Sequence, residues 1–369
     1  MVDFYYKLIG MYTIFKKLSL PVLLSVFIMC KPGTTPPAPI KIIINDSNSL
    51  KSVSSFPIGA SVNVRLLKTD SLYRSTLSSQ FNSMTPENAL KWEAIHPELG
   101  KFDFTNADLL VNFALVNNIR FHGHNLVWYQ SNPKWLENFS GNNENWDTLL
   151  KNHIQTVVSR YKGKIASWDV VNEAFDEKGN IRKNDIWAKN MGIDYIAKAF
   201  LYAHEADPNA VLFYNDYGQE QSEAKTESIL NMVKDLKKRN IPIGGLGIQM
   251  HIKLNTSENK IKEILKQFAQ TGLKIHISEL DIAVNTKNDS TMEFTSDLKN
   301  QLAAKYKFIV EAYKFAVPPS LRYGITTWDI GDKDSWLRKY YNKNDWPLLF
   351  DDEYKKKDCY YAFLQALKN

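Results

Sequence analysis

Two glutamates, Glu173 and Glu279, occupy sequence positions that would suit acid–base chemistry. Each follows an apolar, β-branched stretch, in WDVVNEA at 168–174 and in ISELD at 277–281. An unpaired carboxylate inside a buried strand is costly, so we expect each glutamate at a strand end, where the strands of a parallel barrel meet a shared cleft. Two converging carboxyl groups, one protonated and one ionised, can cleave a glycosidic bond.

The elements that must position these glutamates form a repeating pattern. Apolar stretches of strand length alternate with amphipathic helical stretches to the C-terminus, and this pattern predicts an α/β fold, a (β/α)₈ TIM barrel with a single catalytic domain. Helices are clearest at 193–206, before Pro208, and at 229–239. The predicted strands are Phe56–Val62, Phe81–Met84, Ile119–Trp128, Ile165–Asn172, Val211–Asp216, Leu246–His251, Lys274–Leu280 and Tyr323–Trp328.

Polar and aromatic residues collect where these strands end. The ends carry TPENALKW at 85–92, GHNLVW at 123–128, NE at 172–173, NDY at 215–217, QMH at 249–251, Glu279 and WD at 328–329, with Trp336 a little beyond. In a barrel, the carboxyl ends of all strands open onto the same face. The sequence therefore predicts one cleft at this face.

These motifs, in this order, resemble those of endo-β-1,4-xylanases of glycoside hydrolase family 10. The resemblance rests on TPEN with Lys91-Trp92, the GHNLVW, WDVVNE, GIQMH and SELD segments, Trp328 with Trp336, and PLLF at 347–350. It covers the chain from about residue 56 to the C-terminus. It implies hydrolysis of internal xylosidic bonds of xylan with retention of configuration.

The resemblance also implies roles for individual residues. Glu173 would be the acid/base and Glu279 the nucleophile. The chemistry of the reaction separately leads us to expect that Asn172, adjacent to Glu173, donates to a sugar 2-hydroxyl and that His251 hydrogen-bonds Glu279 and helps to keep it ionised. The positions that match glycone-binding residues are Glu87, Asn88, Lys91, His124 and Gln249, and those that match the apolar walls are Trp128, Trp328 and Trp336. No metal and no organic cofactor is expected.

Two positions depart from the family pattern beside the third strand. Tyr129 stands where the family usually has histidine after the tryptophan, and Ser131 stands where a glutamine is usual, with Gln130 next to it. The first change removes a titratable group and the second changes polar contacts in the glycone pocket. Neither affects the glutamate pair, so we expect them to alter subsite preference and pH optimum.

Alternatives remain at the level of fold, substrate and activity. A doubly wound open sheet is disfavoured because no glycine-rich phosphate loop follows the first strand. A retaining β-1,4-glucanase would share the fold and mechanism, and a non-catalytic glycan-binding lipoprotein would share the cleft but would not need both glutamates. A zinc site formed by His122, His124, His251 and His276 is possible in a barrel hydrolase. Buried, hydrogen-bonded histidines are the simpler interpretation.

Composition limits the partners and the domain plan. The net charge of +6 is spread along the 369 residues, which argues against nucleic acid as a partner, and Cys30 and Cys359 are the two cysteines. Residues 1–30 contain Lys16 and Lys17 before an apolar run, as in a signal peptide, with the start at Met1 or Met11. Cys30 at the end of that run is where a lipoprotein signal would be lipidated, the one membrane attachment expected.

The predicted plan is a signal segment at 1–30, a Pro/Ser/Thr-rich linker at 31–50 and a catalytic domain at 51–369. The protein is expected to be exported, either secreted or anchored as a lipoprotein at the cell surface or in the periplasm. A monomer is expected, with xylan or xylo-oligosaccharides as the substrate.

Overall fold

The computed structural model describes residues 48–368, and within this range the chain forms nine strands and fourteen α-helices. The strands are β1 Ile58–Val62, β2 Ser83–Pro86, β3 Arg120–Trp128, β4 Ser167–Asn172, β5 Val211–Asp216, β6 Gly245–Ile248, β7 His251–Lys253, β8 Lys274–Ala283 and β9 Arg322–Thr327.

The helices lie between the strands and after the last one. They are α1 Leu50–Val53, α2 Val64–Thr69, α3 Ser71–Gln80, α4 Trp92–Ile95, α5 Thr105–Val116, α6 Lys134–Glu137, α7 Asn143–Arg160, α8 Ile186–Met191, α9 Tyr195–Ala206, α10 Glu223–Lys238, α11 Glu258–Ala269, α12 Ser296–Ala316, α13 Trp336–Tyr341 and α14 Asp358–Lys368. Short 3₁₀ helices span Pro319–Leu321 and Asp332–Asp334.

Eight of these strands close into a barrel. Their order is β6-β5-β4-β3-β2-β1-β9-β8, and β6 also pairs with β8, so the sheet has no free edge. Every pairing is parallel, and β7 pairs with the last residues of β8, beyond those that pair with β6. The predicted (β/α)₈ barrel is therefore confirmed, and a doubly wound open sheet is excluded because the sheet is closed.

All eight predicted strands are present, with differences at their ends. The predicted strand Leu246–His251 is divided in two, because β6 ends at Ile248 and β7 begins at His251. Between them Met250 adopts a left-handed conformation with φ of 58°. A bulky residue seldom adopts this conformation without a local reason. Here it separates two strands that hydropathy alone reads as one, and it leaves Gln249 and His251 at the mouth of the barrel.

The outer helices pack apolar faces on the barrel. Helix α10 begins six residues earlier than the predicted 229–239 because Ser222 caps it, with its hydroxyl accepting a bond from the Lys225 amide at 3.1 Å. Ile229 and Val233 lie in the core, while Lys237 and Lys238 occupy the last turn, where cations favour the helix dipole. The spacing of apolar residues predicts this helix, but it does not predict where the helix begins, because the first turn is polar.

The packed domain includes the last residue of the predicted linker. Leu50 begins α1 and is fully buried in the core. The predicted signal segment 1–30 and linker residues 31–47 lie outside the described residues. Among residues 48–368 no helix is both long enough and apolar enough to cross a membrane.

Candidate active site

Glu173 follows the last residue of β4 and is 7% exposed. Its backbone is left-handed, with φ of 58°, and its amide donates to the carbonyl of Asn215 on β5 at 2.9 Å. The Glu173 carbonyl accepts a bond from Arg182 Nε at 2.8 Å. Strain of this kind persists only where the surroundings hold it, and here one bond fixes each of the two peptide groups that flank the Glu173 Cα.

Glu279 lies within β8 rather than at its end, and it is 5% exposed. The register between β8 and β9 shifts between Ile277 and Leu280, next to this residue. Such an irregularity re-aims a side chain. The Glu279 amide donates to the carbonyl of Gln249 at 3.1 Å. An interior strand position is thus compatible with a carboxylate because the strand is irregular there and its polar partners are close.

A network of side-chain amides links the two carboxylates. Asn215 Nδ2 donates to Glu279 Oε1 at 2.8 Å and to Asn172 Oδ1 at 2.9 Å. Asn172 Nδ2 donates to Glu173 Oε1 at 3.0 Å, and Gln249 Nε2 donates to the same oxygen at 2.9 Å. The glutamates on β4 and β8 therefore lie in one hydrogen-bonded constellation, as the sequence predicts.

Asn215 itself is held from two sides. Ser278 donates its hydroxyl to Asn215 Oδ1 at 2.6 Å. On the neighbouring strand, a Cβ at Gly247 would lie 2.1 Å from the same oxygen, so only glycine leaves room for this amide. The orientation of Asn215 is thereby fixed with its NH₂ group toward Glu279 and Asn172.

The surroundings of Glu279 favour its ionised form. Burial alone would raise the pKa of its carboxyl group, but the hydrogen bond from His251 and the positive potential of His124 and His251 outweigh burial, and the pKa is lowered. His251 Nε2 lies 3.3 Å from Glu279 Oε2. Glu279 is therefore ionised and available as a nucleophile or as a counter-charge.

His251 is held as a cation by two carboxylates. Burial would lower the pKa of this histidine, but Asp281 and then Glu279 raise it well above its ordinary value. Asp281 Oδ2 accepts from His251 Nδ1 at 2.9 Å and from Trp336 Nε1 at 2.7 Å. Asp281 therefore fixes both the predicted histidine and one predicted tryptophan wall. The sequence shows this aspartate in SELD but assigns it no role.

Ten of the twelve predicted site residues line one cavity of about 710 Å³ at the mouth of the barrel. They are Lys91, His124, Trp128, Asn172, Glu173, Gln249, His251, Glu279, Trp328 and Trp336. Glu87 and Asn88 lie beside the cavity rather than in its lining. Glu87 accepts from Asn63 Nδ2 at 2.6 Å, and Asn88 Oδ1 accepts from Lys91 Nζ at 2.9 Å.

Lys91 bonds Asn88 beside the cavity and also lines the cavity that contains Glu173 and Glu279. Burial lowers the pKa of the Lys91 ammonium group, while Glu279, Glu87 and Glu173 act to raise it, and the net direction is downward. Its Nζ lies 4.9 Å from the centroid of the Trp128 ring, within the range of a cation–π contact. An ammonium group on one wall of a sugar-sized cavity can donate hydrogen bonds to hydroxyls.

Tyr129, which departs from the family pattern, packs against Arg182 in the structure. Tyr129 lines the cavity, and the Arg182 guanidinium carbon lies 4.7 Å from its ring centroid and 5.5 Å from that of Tyr217. Arg182 Nη2 donates to the Tyr217 hydroxyl at 2.7 Å. The guanidinium that binds the Glu173 carbonyl is thus flanked by two phenol rings. Gln130 also lines the cavity, whereas Ser131 takes a left-handed turn with φ of 52°.

The strand histidines have partners other than a metal. His122 Nδ1 lies 2.6 Å from Ser167 Oγ, and His276 Nε2 lies 2.8 Å from Thr326 Oγ1. Asp169 accepts from His124 Nδ1 at 2.8 Å and lies 3.0 Å from His122 Nε2. Over residues 48–368, no group of three or more histidine, cysteine, aspartate or glutamate side chains is arranged to hold a metal ion.

The comparisons with known proteins agree with this geometry. Residues 47–366 match the family model described as Glycosyl hydrolase family 10. The chain belongs to glycosyl hydrolase family 10. It is 37% identical over 297 residues to an endo-1,4-beta-xylanase B of Thermotoga neapolitana, covering 80% of this chain and 83% of that protein.

Other family 10 proteins give the same result. An endo-1,4-beta-xylanase B of Paenibacillus barcinonensis is 35% identical over 86% of this chain and 97% of its own length. Xylanase 10B of Thermotoga petrophila, solved in complex with xylobiose, superimposes with a TM-score of 0.81 at 35% identity, covering 87% of this chain and 97% of that one. The expected family is confirmed, and the chain is a glycoside hydrolase.

The bond between His251 and Glu279 predicts a pH dependence. The His251→Asn variant loses the cation that helps to lower the pKa of Glu279, so this pKa should rise. A carboxylate acts as a nucleophile only when it is ionised, so for a nucleophilic Glu279 the acidic limb of the kcat/KM profile should move to higher pH, and the loss of activity should grow as the pH falls. Profiles measured on an aryl xylobioside test this.

The matched control is His204→Asn, the same change on the exposed face of α9. It should leave the profile where it is in the wild-type enzyme. An acidic limb that stays in place in His251→Asn, with an equal loss of activity at every pH, would contradict the role assigned to His251.

Proposed function

We propose that this family 10 protein is a retaining endo-β-1,4-xylanase that acts by double displacement, with Glu173 as acid/base and Glu279 as nucleophile. The observation that carries the proposal is the contrast between two carboxylates in one hydrogen-bonded constellation. Glu279 faces the cationic His251, whereas Glu173 Oε1 accepts bonds from the neutral amides of Asn172 and Gln249. Different environments assign different roles to paired carboxylates.

In the first step Glu279 attacks the anomeric carbon while Glu173 gives its proton to the glycosidic oxygen. A carbon–oxygen bond to Glu279 forms, the glycosidic bond breaks, and the aglycone leaves as an alcohol. In the second step Glu173, now ionised, takes a proton from water as that water displaces Glu279. The two inversions give net retention, and Glu173 ends protonated again.

Asn172 and Asn215 support this chemistry in different ways. Asn215 shares its NH₂ group between Glu279 and Asn172, so it holds the nucleophile in place and stabilises its negative charge by a hydrogen bond. Asn172 uses one amide hydrogen on Glu173, and the other is available for the sugar 2-hydroxyl. A bond to this hydroxyl that strengthens as charge develops at the anomeric carbon stabilises the transition state.

Xylan is the proposed substrate for a steric reason. Trp328 and Trp336 stand on the cavity wall, and the bond from Trp336 Nε1 to Asp281 keeps that indole from moving aside. A hexose carries a C5 hydroxymethyl group that a xylose ring lacks, so a rigid aromatic wall should crowd glucose more than xylose. The relatives from Thermotoga neapolitana and Paenibacillus barcinonensis are named xylanases, as is the Thermotoga petrophila protein that was solved with xylobiose.

Two other functions are less well supported. A retaining β-1,4-glucanase would use the same glutamates, and the distinction from a xylanase rests on the wall just described. A non-catalytic glycan-binding protein would need neither the cationic His251 nor the bonds that hold the Glu173 peptide in a left-handed conformation. The preservation of both features favours an enzyme.

Removing the acid should discriminate between leaving groups. Glu173→Ala should slow the glycosylation step on xylan by at least about 10²-fold, because general acid catalysis typically contributes 10²–10⁴-fold. A substrate with an activated phenol needs little protonation, so its glycosylation rate should fall much less. Pre-steady-state kinetics on the two substrate types, with Glu311→Ala on the exposed face of α12 as control, would make the comparison. Equal losses on both would show that Glu173 is not the acid.

Specificity can be measured with matched substrates. We expect kcat/KM for an aryl xylobioside to exceed that for the corresponding cellobioside by at least about tenfold, which corresponds to about 1.4 kcal/mol in the transition state. Trp336→Ala should narrow this ratio because it opens the wall. A wild-type ratio of one or less would leave the hydrolase and its mechanism in place but would refute the xylanase assignment.

We also propose that the segment at 1–30 directs export of the protein and, as a more specific hypothesis, that Cys30 is lipidated. The mature protein is proposed to be a monomer. Expression of the whole chain in a bacterium that processes lipoproteins, followed by fractionation, tests export and lipidation. Membrane association that is lost in Cys30→Ser supports lipidation, and a shortened soluble protein outside the cytoplasm supports secretion alone. Full-length protein confined to the cytoplasm would refute export, and light scattering would determine the oligomeric state.

A further inference from the structure

Two tyrosines at the end of α13, Tyr340 and Tyr341, are exposed although they line the catalytic cavity. Tyr340 is 74% exposed and Tyr341 is 44% exposed, and both border the cavity that contains Glu173 and Glu279. Large aromatic rings exposed side by side at a cleft commonly mark a surface that binds a ligand. Neither residue is used in the mechanism above.

The two rings continue the aromatic wall outward from the catalytic centre. The Trp336 ring centroid lies 5.8 Å from that of Tyr340 and 6.3 Å from that of Tyr341. Tyr340 and Tyr341 lie 4.9 Å apart with their planes at 82°, so they form an angled pair rather than a stack. We refer to Tyr340 and Tyr341 as the tyrosine shelf.

Hydrogen bonds hold the loop that follows the tyrosine shelf. Asn342 caps the C-terminus of α13 with a left-handed φ of 46°, and Arg338 Nε donates to the Asp345 carbonyl at 2.6 Å. Asp345 Oδ1 accepts from the amides of Val284 and Asn285 at 2.9 and 3.2 Å. These two amides directly follow β8, the strand that carries Glu279. The shelf is therefore tied to the same strand as the proposed nucleophile.

Lys343 provides a second link between the tyrosine shelf and the residues that follow β8. Its Nζ donates to the Asn285 carbonyl, lies 3.3 Å from Asp345 Oδ2, and sits 4.9 Å from the centroid of the Tyr341 ring. A ring fixed in this way loses little conformational freedom when a ligand covers it, so more of the contact energy appears as affinity.

The chemistry of the shelf suits a sugar ring. A pyranose has apolar C–H faces and a rim of hydroxyls, and tyrosine offers an apolar ring and a hydroxyl that donates and accepts. The ligand should be a sugar of the polysaccharide already in the cleft, because shelf and glutamates border one continuous cavity.

We propose that Tyr340 and Tyr341 form an outer subsite that binds a backbone xylosyl unit of the substrate, beyond the units that contact Glu173 and Glu279. This inference rests on the proposed xylanase function. The subsite contributes binding energy at a distance from the reacting atoms. It therefore acts on long chains and hardly at all on substrates that end before they reach it.

The test is the dependence of activity on chain length in the double variant Tyr340→Ala/Tyr341→Ala. The ratio of variant to wild-type kcat/KM should be about tenfold lower for unbranched xylohexaose than for an aryl xylobioside, a difference of about 1.4 kcal/mol. The loss on xylohexaose should appear mainly in KM. The variant Tyr340→Phe/Tyr341→Phe, which keeps both rings, should recover most of the loss.

The matched control is Phe315→Ala, which removes a 90% exposed aromatic ring from α12. Its ratios should be equal for both substrates. Equal ratios for the two substrates in the shelf variant would refute the subsite, as would a loss confined to arabinose-branched xylan, since the occupant would then be a branch. A wild-type enzyme that does not cleave the xylobioside would instead refute the proposed function.

Discussion

An ionised carboxylate buried at the mouth of a barrel is the constraint on which the rest of this site depends. Glu279 is 5% exposed, and it keeps its charge because Asn215 and His251 donate to its two oxygens. An unpaired buried charge would cost several kcal/mol, so each of these donors must itself be fixed. Ser278 and Gly247 fix Asn215, and Asp281 fixes His251.

The same constraint explains how the neighbouring carboxyl group differs. Glu173 Oε1 accepts from amides, which orient a carboxyl group without adding a positive charge beside it. The cationic His251 instead lies against Glu279, and Asp281 shares that cation. Charge is thus distributed asymmetrically across a single hydrogen-bonded constellation. This asymmetry supports the proposed division of roles, because the cation stabilises the Glu279 anion and makes its contact with that carboxylate.

The sequence predicts the barrel and most of the cavity, because strand alternation and strand-end motifs are local signals. Ten predicted side chains line the cavity since the carboxyl ends of all eight strands meet there. Glu87 and Asn88 differ because their side chains bond Asn63 and Lys91 beside the cavity, an arrangement of side chains that a motif does not encode.

The residues that the sequence leaves without a role act through others. Asn215 bonds Glu279, Ser278 bonds Asn215 and Asp281 bonds His251, and each of these bonds joins two strands and so depends on register. Arg182 binds the Glu173 carbonyl from a loop, and its flanking rings belong to Tyr129 and Tyr217 on other elements. The signal for Asn215 was its position in the strand-end NDY segment. The break at Met250 has no hydropathy signal, because its left-handed backbone interrupts an otherwise apolar run.

The central claim is that Glu279 forms the covalent bond to the sugar. The most direct measurement is to react the enzyme with a 2-deoxy-2-fluoro-xylobioside that carries an activated phenol. Fluorine slows both steps by destabilising positive charge at the anomeric carbon, and the good leaving group restores the first. Mass spectrometry of the digested protein should find one fluoroxylobiosyl group, attached to Glu279. A label on Glu173, or phenol release with no adduct at any time, would contradict the account.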